Sequence, residues 1–187
     1  MEIIELAKSF GKRQIPETLI ELLNFANTIS KDNWFSEGFE FSIDEEKYGL
    51  KTYSEENEFL HSLIEFAKAD GTGSTYAIWI KNNNENLENM PIVAFGSEGG
   101  YHIVSENIKG LLEILTYDIE PMIDWDGIDY YKDEEDYEAS EYIESYQKWL
   151  KKKYQIQITN DADKIVENAQ EKYQKEFELW VGKYYSE

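Results

Sequence analysis

The sequence predicts an α+β fold, with helices on a central, mostly antiparallel sheet and a helical extension at the C-terminal end. Apolar residues recur at helical spacing near both ends of the chain. Between these ends, dense runs of β-branched and aromatic residues alternate with turns rich in Gly and Asn. A chain of 187 residues that is 41% hydrophobic has an ample core for one domain, so we expect residues 1–187 to form a single domain.

The first half of the chain is predicted to contain helices and two short strands. Residues 3–10 form an amphipathic stretch, and Pro16 suits the first turn of a longer helix. Alternating apolar residues predict a strand within residues 33–43, and a second short strand is predicted at residues 50–53. Ser54 is then expected to cap a helix that ends near Asp70 and carries on one face the apolar residues Phe59, Leu63, Phe66 and Ala67.

The second half of the chain is predicted to complete the sheet and to end in helices. Residues 75–80 and 91–95 are apolar runs joined by a polar turn at 82–86, which predicts a hairpin. The glycines that follow indicate a tight return into a third strand at residues 101–104, and Ser105 is expected to start a helix. Residues 137–154 and 160–185 have the apolar spacing of two more helices, which should pack on the sheet or on each other.

Two motifs in the middle of the chain carry a family resemblance. Residues 69–80 are Ala-Asp-Gly-Thr-Gly-Ser-Thr-Tyr-Ala-Ile-Trp-Ile, residues 91–99 are Pro-Ile-Val-Ala-Phe-Gly-Ser-Glu-Gly, and the helical pattern of residues 108–115 follows. In this order they resemble the central motif set of the SUKH superfamily, which includes the yeast cell-wall assembly regulator and many bacterial immunity proteins. The resemblance is best over residues 39–116 and does not extend to the acidic segment 118–144 or the C-terminal helices. It implies a partner-binding α+β domain without catalytic residues, whose bacterial members often neutralise nuclease or deaminase toxins.

The motif residues themselves favour structural roles. Gly71 and Gly73 are predicted to take positive φ, Asp70 to cap their turn, and Trp79 to fill the core at the centre of a strand. A phosphate-binding loop is excluded, because no third glycine follows and the loop precedes a strand. Gly96 and Gly99 mark the next turn. The Glu98 side chain between them is expected either to hold this turn or to face a partner.

The charge of the chain restricts its partners. With 39 acidic and 18 basic residues, the net charge is -21, which repels nucleic acid and anionic membranes and attracts cationic proteins. Residues 118–144 hold twelve acidic residues and one basic residue, Lys132, interleaved with aromatic side chains. This composition predicts a surface for a basic protein, although a solubilising face is the alternative. The predicted contact residues are Glu98, Asp124, Trp125, Asp126, Asp129, Asp133, Glu134, Glu135 and Asp136.

Catalytic and metal-binding patterns are weak in this sequence. The chain has no cysteine, and neither His61 nor His102 has the spacing of a metal site or a catalytic triad. Residues 124–135 partly match a calcium-binding loop, but Ile128 stands at the fifth position and Asp129 replaces the required glycine at the sixth. We therefore expect no metal and no cofactor. Scattered carboxylates leave an acid-base hydrolase or transferase open as an alternative.

These observations predict a non-enzymatic, cytoplasmic immunity protein that binds a basic toxin domain. The cytoplasmic expectation rests on the missing cysteines, on the lack of a signal peptide pattern at residues 1–10 and on the lack of a long apolar run. A regulatory scaffold is the second alternative. A toxin gene immediately upstream would favour immunity, whereas an isolated gene would favour the scaffold.

Overall fold

A five-stranded antiparallel sheet with helices on both faces forms the centre of the computed structural model, which describes residues 1–29, 34–81 and 86–185. The helices are α1 (Ile3–Phe10), α2 (Glu17–Ile29), α3 (Tyr48–Lys51), α4 (Asn57–His61), α5 (Ile108–Ile114), α6 (Ile143–Tyr154) and α7 (Ala162–Val181). The strands are β1 (Glu40–Phe41), β2 (Leu63–Lys68), β3 (Thr75–Trp79), β4 (Ile92–Phe95), β5 (Tyr101–Ser105), β6 (Met122–Ile123) and β7 (Ile128–Asp129). Short 3-10 turns lie at Leu87–Asn89 and Leu115–Tyr117. The predicted α+β class is confirmed.

The sheet is a meander in which each strand pairs with its neighbour in the sequence, in the order β1-β2-β3-β4-β5. In β2 and β3, Leu63 pairs with Trp79 and Lys68 pairs with Thr75, and a bulge lies between Glu65 and Ala67. Strands β6 and β7 form a separate hairpin. This topology brings the turn before β3 and the turn after β4 to the same end of the sheet, because neighbouring antiparallel strands reverse direction.

Both faces of the sheet are covered, so its central strands are buried almost continuously. One core cluster includes apolar residues of α1, α2, α5 and α6 with alternate strand residues such as Phe66 and Ile78. The second cluster joins the opposite strand face to the C-terminal half of α7, with Trp79 packed against Phe177 and Trp180. Trp79 is 3% exposed. Its predicted core position is therefore confirmed, although it ends β3 and does not lie at its centre.

Helix α7 covers the edge of β5. The Ile103 amide donates a hydrogen bond to Gln174 Oε1 (2.8 Å), and Gln170 Nε2 donates one to the Ile103 carbonyl (3.2 Å). The two glutamines lie one helical turn apart and so face the same strand. They satisfy backbone groups that a further strand would otherwise bind, which protects this sheet edge from pairing with another chain.

Several predictions for the first half of the chain are wrong. Of the predicted strand at residues 33–43, only Glu40–Phe41 is a strand; Phe35 and Phe39 lie in turns that pack into the core, and Asn33 lies outside the described residues. The predicted strand at residues 50–53 is helix α3 and its exit turn. The single helix predicted after Ser54 is a short α4 followed by β2. Its apolar residues have helical spacing, but they lie on both faces of strand β2: Ile64 and Phe66 belong to one core cluster and Leu63 to the other.

The later elements exist as predicted, with changed bounds. Helix α5 begins at Ile108, where Asn107 caps it, because Ser105 still belongs to β5. The helix predicted at 137–154 begins at Ile143, and that predicted at 160–185 spans Ala162–Val181. Most of the predicted turn 82–86 lies outside the described residues. Within the described part, no helix is long and apolar enough to cross a membrane.

Candidate partner-binding site

An acidic groove of about 610 Å³ opens beside the turn before β3, the turn after β4 and the segment that leads into β6. Five carboxylates line it, and no lysine or arginine is among its described lining residues. Apolar side chains of residues 119–123, the segment that leads into β6, complete the wall of the groove. The groove is lined by Glu37, Asp70, Thr72, Ser74, Ser97, Glu98, Ile119, Glu120, Pro121, Met122, Ile123 and Asp124.

Asp70 organises the first wall of the groove. Its Oδ1 accepts hydrogen bonds from the amides of Thr72 (2.8 Å), Gly73 (2.9 Å) and Ser74 (2.9 Å), so the predicted cap is confirmed. Gly73 has the predicted positive φ of 113°. Gly71 does not, because its amide is instead turned to donate to Glu120 Oε1 (2.9 Å).

Hydroxyl groups connect the turn before β3, which is the first wall, to the turn after β4, which is the second wall. The Ser97 amide donates to Ser74 Oγ (3.1 Å), and the hydroxyls of Thr72 and Ser97 are 2.7 Å apart. The Glu98 side chain next to them is exposed. The groove therefore has a rigid rim made of two turns, from which Glu98 projects beside the other carboxylates.

The β6–β7 hairpin forms the third wall and is held by a turn. Asp124 Oδ1 accepts from the amides of Asp126 (2.7 Å) and Gly127 (3.0 Å). This geometry explains the partial calcium-loop pattern, because the Asp124 carboxylate accepts hydrogen bonds from backbone amides of its own turn. Among the described residues, no group of three or more His, Asp or Glu side chains is placed to hold a metal ion.

Glycines allow this hairpin to dock closely on the turn between β4 and β5. A Cβ at Gly100 would lie 2.0 Å from the Asp124 carbonyl oxygen, and a Cβ at Gly99 would lie 2.4 Å from the Trp125 ring. Both glycines also have positive φ. His102 Nε2 lies 2.7 Å from the Asp124 carbonyl oxygen, which requires the tautomer that donates from this nitrogen. His102 is thus a structural contact of the hairpin, whereas His61 is exposed at the end of α4.

Trp125 presents an aromatic surface next to the groove. Its ring is stacked on Tyr185 (6.2 Å between centroids) and contacts Tyr101 edge-on, while 46% of the residue remains exposed. Met122, on the groove wall, is 56% exposed. Trp125 is therefore positioned by ring packing, and both it and Met122 remain available to solvent.

The carboxylates of the groove repel one another. Burial raises the pKa of Glu120, the hydrogen bond from the Gly71 amide opposes this, and the negative charges of Asp70 and Glu37 raise it further. For Asp70, burial alone would raise the pKa, but the hydrogen bonds from Ser74, Thr72 and Gly73 outweigh it and lower the pKa. Glu120 therefore retains an unfavourable charge that a cationic group in the groove would stabilise.

The predicted contact residues 133–136 lie in an exposed turn outside the groove. Asp133 Oδ1 accepts from the Glu135 amide (3.0 Å). Lys132, just before this turn, is not a free cation, because its ammonium lies 3.9 Å from the centre of the Tyr137 ring and donates to the Tyr117 carbonyl.

A buried carboxylate fixes the segment that follows. Asp118 accepts hydrogen bonds from the Glu37 amide, the Tyr137 hydroxyl, and the amide and hydroxyl of Ser140. The Ser140 hydroxyl also lies 3.5 Å from Glu37 Oε1, and Glu37 lines the groove. Asp118 thus links the exposed turn to the groove.

The structure brings part of the predicted contact set together. Glu98 and Asp124 line the groove, Trp125 and Asp126 lie on the adjoining hairpin turn, and Asp129 is exposed on β7. Glu37 and Glu120 were missed as site residues. Glu120 lies within the acidic segment and could have been included, whereas nothing in the sequence marks Glu37. No protein-family model, curated protein or solved structure matches this chain.

Proposed function

We propose that this protein is a non-enzymatic binding protein that neutralises a basic toxin domain by stoichiometric occlusion, as SUKH-type immunity proteins do. The observation that carries the proposal is the acidic groove itself, whose five carboxylates have no basic neighbour among the described lining residues. A surface of this kind is costly to maintain in isolation and gains most from a cationic partner. The motif resemblance at residues 69–80 and 91–99 supports the immunity assignment.

The apolar residues beside the groove are expected to contribute the binding affinity that charge alone does not provide. Complementary charge mainly increases the association rate and the specificity, whereas buried aromatic and Met side chains contribute most of the affinity. Trp125 and Met122 are large and exposed, and the Trp125 ring is held against Tyr185, so these two residues are the expected anchors. Glu98, Glu120 and Asp124 are expected to pair with lysine or arginine side chains of the toxin.

A neutralisation assay tests the proposal. Adding this protein to its cognate toxin should abolish the activity of the toxin at a molar ratio of one. Replacing Glu37, Glu98 and Glu120 by Gln should require an excess of immunity protein, because the attraction in the groove is removed. The matched control replaces Glu55, Glu56 and Glu171, three exposed glutamates away from the groove, and should behave as wild type. Neutralisation by catalytic amounts, or equal behaviour of both triple variants, would refute the proposal.

One observation favours the alternative of a carboxylate-based hydrolase. Asp70 and Glu120 line one groove with pKa values shifted in opposite directions, as an acid-base pair requires. Against this role, Asp70 Oδ1 is already occupied by three backbone amides. If the protein were a hydrolase, Glu120→Gln would abolish toxin inactivation while leaving stoichiometric binding intact. If the protein is a binding protein, Glu120→Gln should weaken binding, and neither the wild type nor the variant should show turnover.

A further inference from the structure

A second groove, of opposite charge, lies between α6 and the segment that follows it. It has a volume of about 480 Å³ and is lined by Glu144, Gln147, Lys148, Lys151, Ile156, Gln157 and Ile158. We propose that this lysine groove binds an acidic segment of a partner protein that also carries a large apolar side chain. This site is distinct from the acidic groove and requires a partner surface of the opposite sign.

Four of the 18 basic residues of the chain are concentrated on α6, at Lys148, Lys151, Lys152 and Lys153. Lys153 is directed to α2, where it pairs with Glu21 (2.6 Å). Lys148 pairs with Glu144 across one helical turn, but both side chains are more than three-quarters exposed, so a competing carboxylate can replace Glu144 at little cost. Lys151 and Lys152 form no ion pair within the described part of the chain. Of these lysines, Lys148 and Lys151 line the groove, so two ammonium groups are available there.

An apolar side chain lies next to these lysines. Ile158 is 61% exposed, and Ile156 beside it packs partly on the main core. Lysines in the last turn of a helix also complement the negative end of its dipole, which accounts for their sign. That effect does not account for an exposed isoleucine facing the same groove. Together, the two features match a docking surface with an apolar centre and a charged rim.

The net charge of -21 does not prevent an acidic segment from binding here. At physiological ionic strength, charges more than about 8 Å apart are largely screened, so the lysines at the contact determine the local interaction. The same net charge repels the broad anionic surface of a membrane, which would face many of the acidic side chains at once. A narrow acidic peptide segment is therefore the occupant that fits.

Selection from a peptide library tests the proposal without assuming a sequence. Randomised twelve-residue peptides displayed on phage are selected on the full-length protein and counter-selected on the Lys148→Glu/Lys151→Glu variant. Because this variant keeps the acidic groove, the counter-selection removes peptides that bind there. We expect the remaining peptides to be acidic and to contain an aromatic or large aliphatic residue. A synthetic copy of an enriched peptide should bind the variant at least tenfold more weakly in fluorescence anisotropy.

Two further variants and a vesicle-binding assay serve as controls. A Lys12→Glu/Lys175→Glu variant has the same net charge as the groove variant and should bind the peptide as wild type does. Ile158→Ser should weaken binding severalfold, which a purely electrostatic attraction would not predict. The proposal is overturned if no acidic peptide is enriched, if both double variants bind equally, or if vesicles with phosphatidylserine bind the groove more tightly than the enriched peptide.

Discussion

Replacing Asp118 by Ala is expected to destabilise the protein by about 3–5 kcal/mol, because several partly buried donors lose a charged acceptor. The carboxylate is 1% exposed and accepts four hydrogen bonds, from the Glu37 amide (3.0 Å), the Tyr137 hydroxyl (2.7 Å), the Ser140 amide (2.9 Å) and the Ser140 hydroxyl (2.6 Å). Each such bond contributes about 1.5–3 kcal/mol, but their losses overlap because most of the donors lie on one segment that can regain water. A φ of 61° at this position adds strain for Ala, whereas Asn and Asp tolerate it.

Urea denaturation followed by tryptophan fluorescence measures this effect. Asp118→Asn should be intermediate, because Asn tolerates the positive φ and keeps one acceptor oxygen but points an amide at the remaining donors. The control is Asp129→Ala, an exposed carboxylate of the same acidic segment, which should change the free energy of unfolding by less than about 0.5 kcal/mol. If Asp118→Ala stays within about 1 kcal/mol of wild type, the segment is not held by Asp118 and the account of the site is wrong.

Further predictions concern the core, the sheet edge and a buried carboxyl. Trp79→Ala should cost about 3–5 kcal/mol, measured as a large drop in melting temperature, because the indole fills the core beneath α7. Gln174→Leu should cost about 1–3 kcal/mol in urea unfolding by leaving the Ile103 amide unpaired, whereas Lys175→Leu on the exposed face should not. Burial raises the pKa of Glu65 above its unfolded value, against the hydrogen bond from Thr75. The folded state thus binds more protons, so the stability contributed by this group increases as pH falls through the folded pKa, and Glu65→Gln should lose that pH-dependent component in thermal melts recorded across a pH series.

The sequence predicts the sheet well where several patterns agree. Apolar runs at β3 and β4 are bounded by glycines and a polar turn, so composition and turn chemistry indicate the same structure. The single helix predicted for residues 54–70 is wrong because Phe59, Leu63 and Phe66 have helical spacing, while the burial of residues 63–67 depends on the elements that cover both faces of the sheet. Burial by other elements cannot be derived from a local window.

The candidate site could be predicted only in part for a similar reason. Concentrated charge with aromatic residues predicted contact residues in the segment after Asp118, and one of them, Trp125, is 46% exposed. The positive φ at Gly73 followed from the turn pattern. By contrast, Gly99 and Gly100 are required by the approach of a hairpin 25 residues further along, and Glu37 reaches the groove from before β1. Such contacts are long-range, so no spacing in the sequence encodes them.

The salt dependence of association with a basic toxin tests the central claim most directly. Stopped-flow or surface plasmon resonance rates are compared for wild type, for Trp125→Ala, and for the Glu37→Gln/Glu98→Gln/Glu120→Gln variant of the acidic groove. Electrostatic steering by the acidic groove predicts that wild-type association slows steeply as the salt concentration rises, because exposed charges are screened. The groove variant should associate more slowly and with a shallower salt dependence, while Trp125→Ala should mainly dissociate faster. Association that is independent of salt, together with unchanged rates in both variants, would contradict the account.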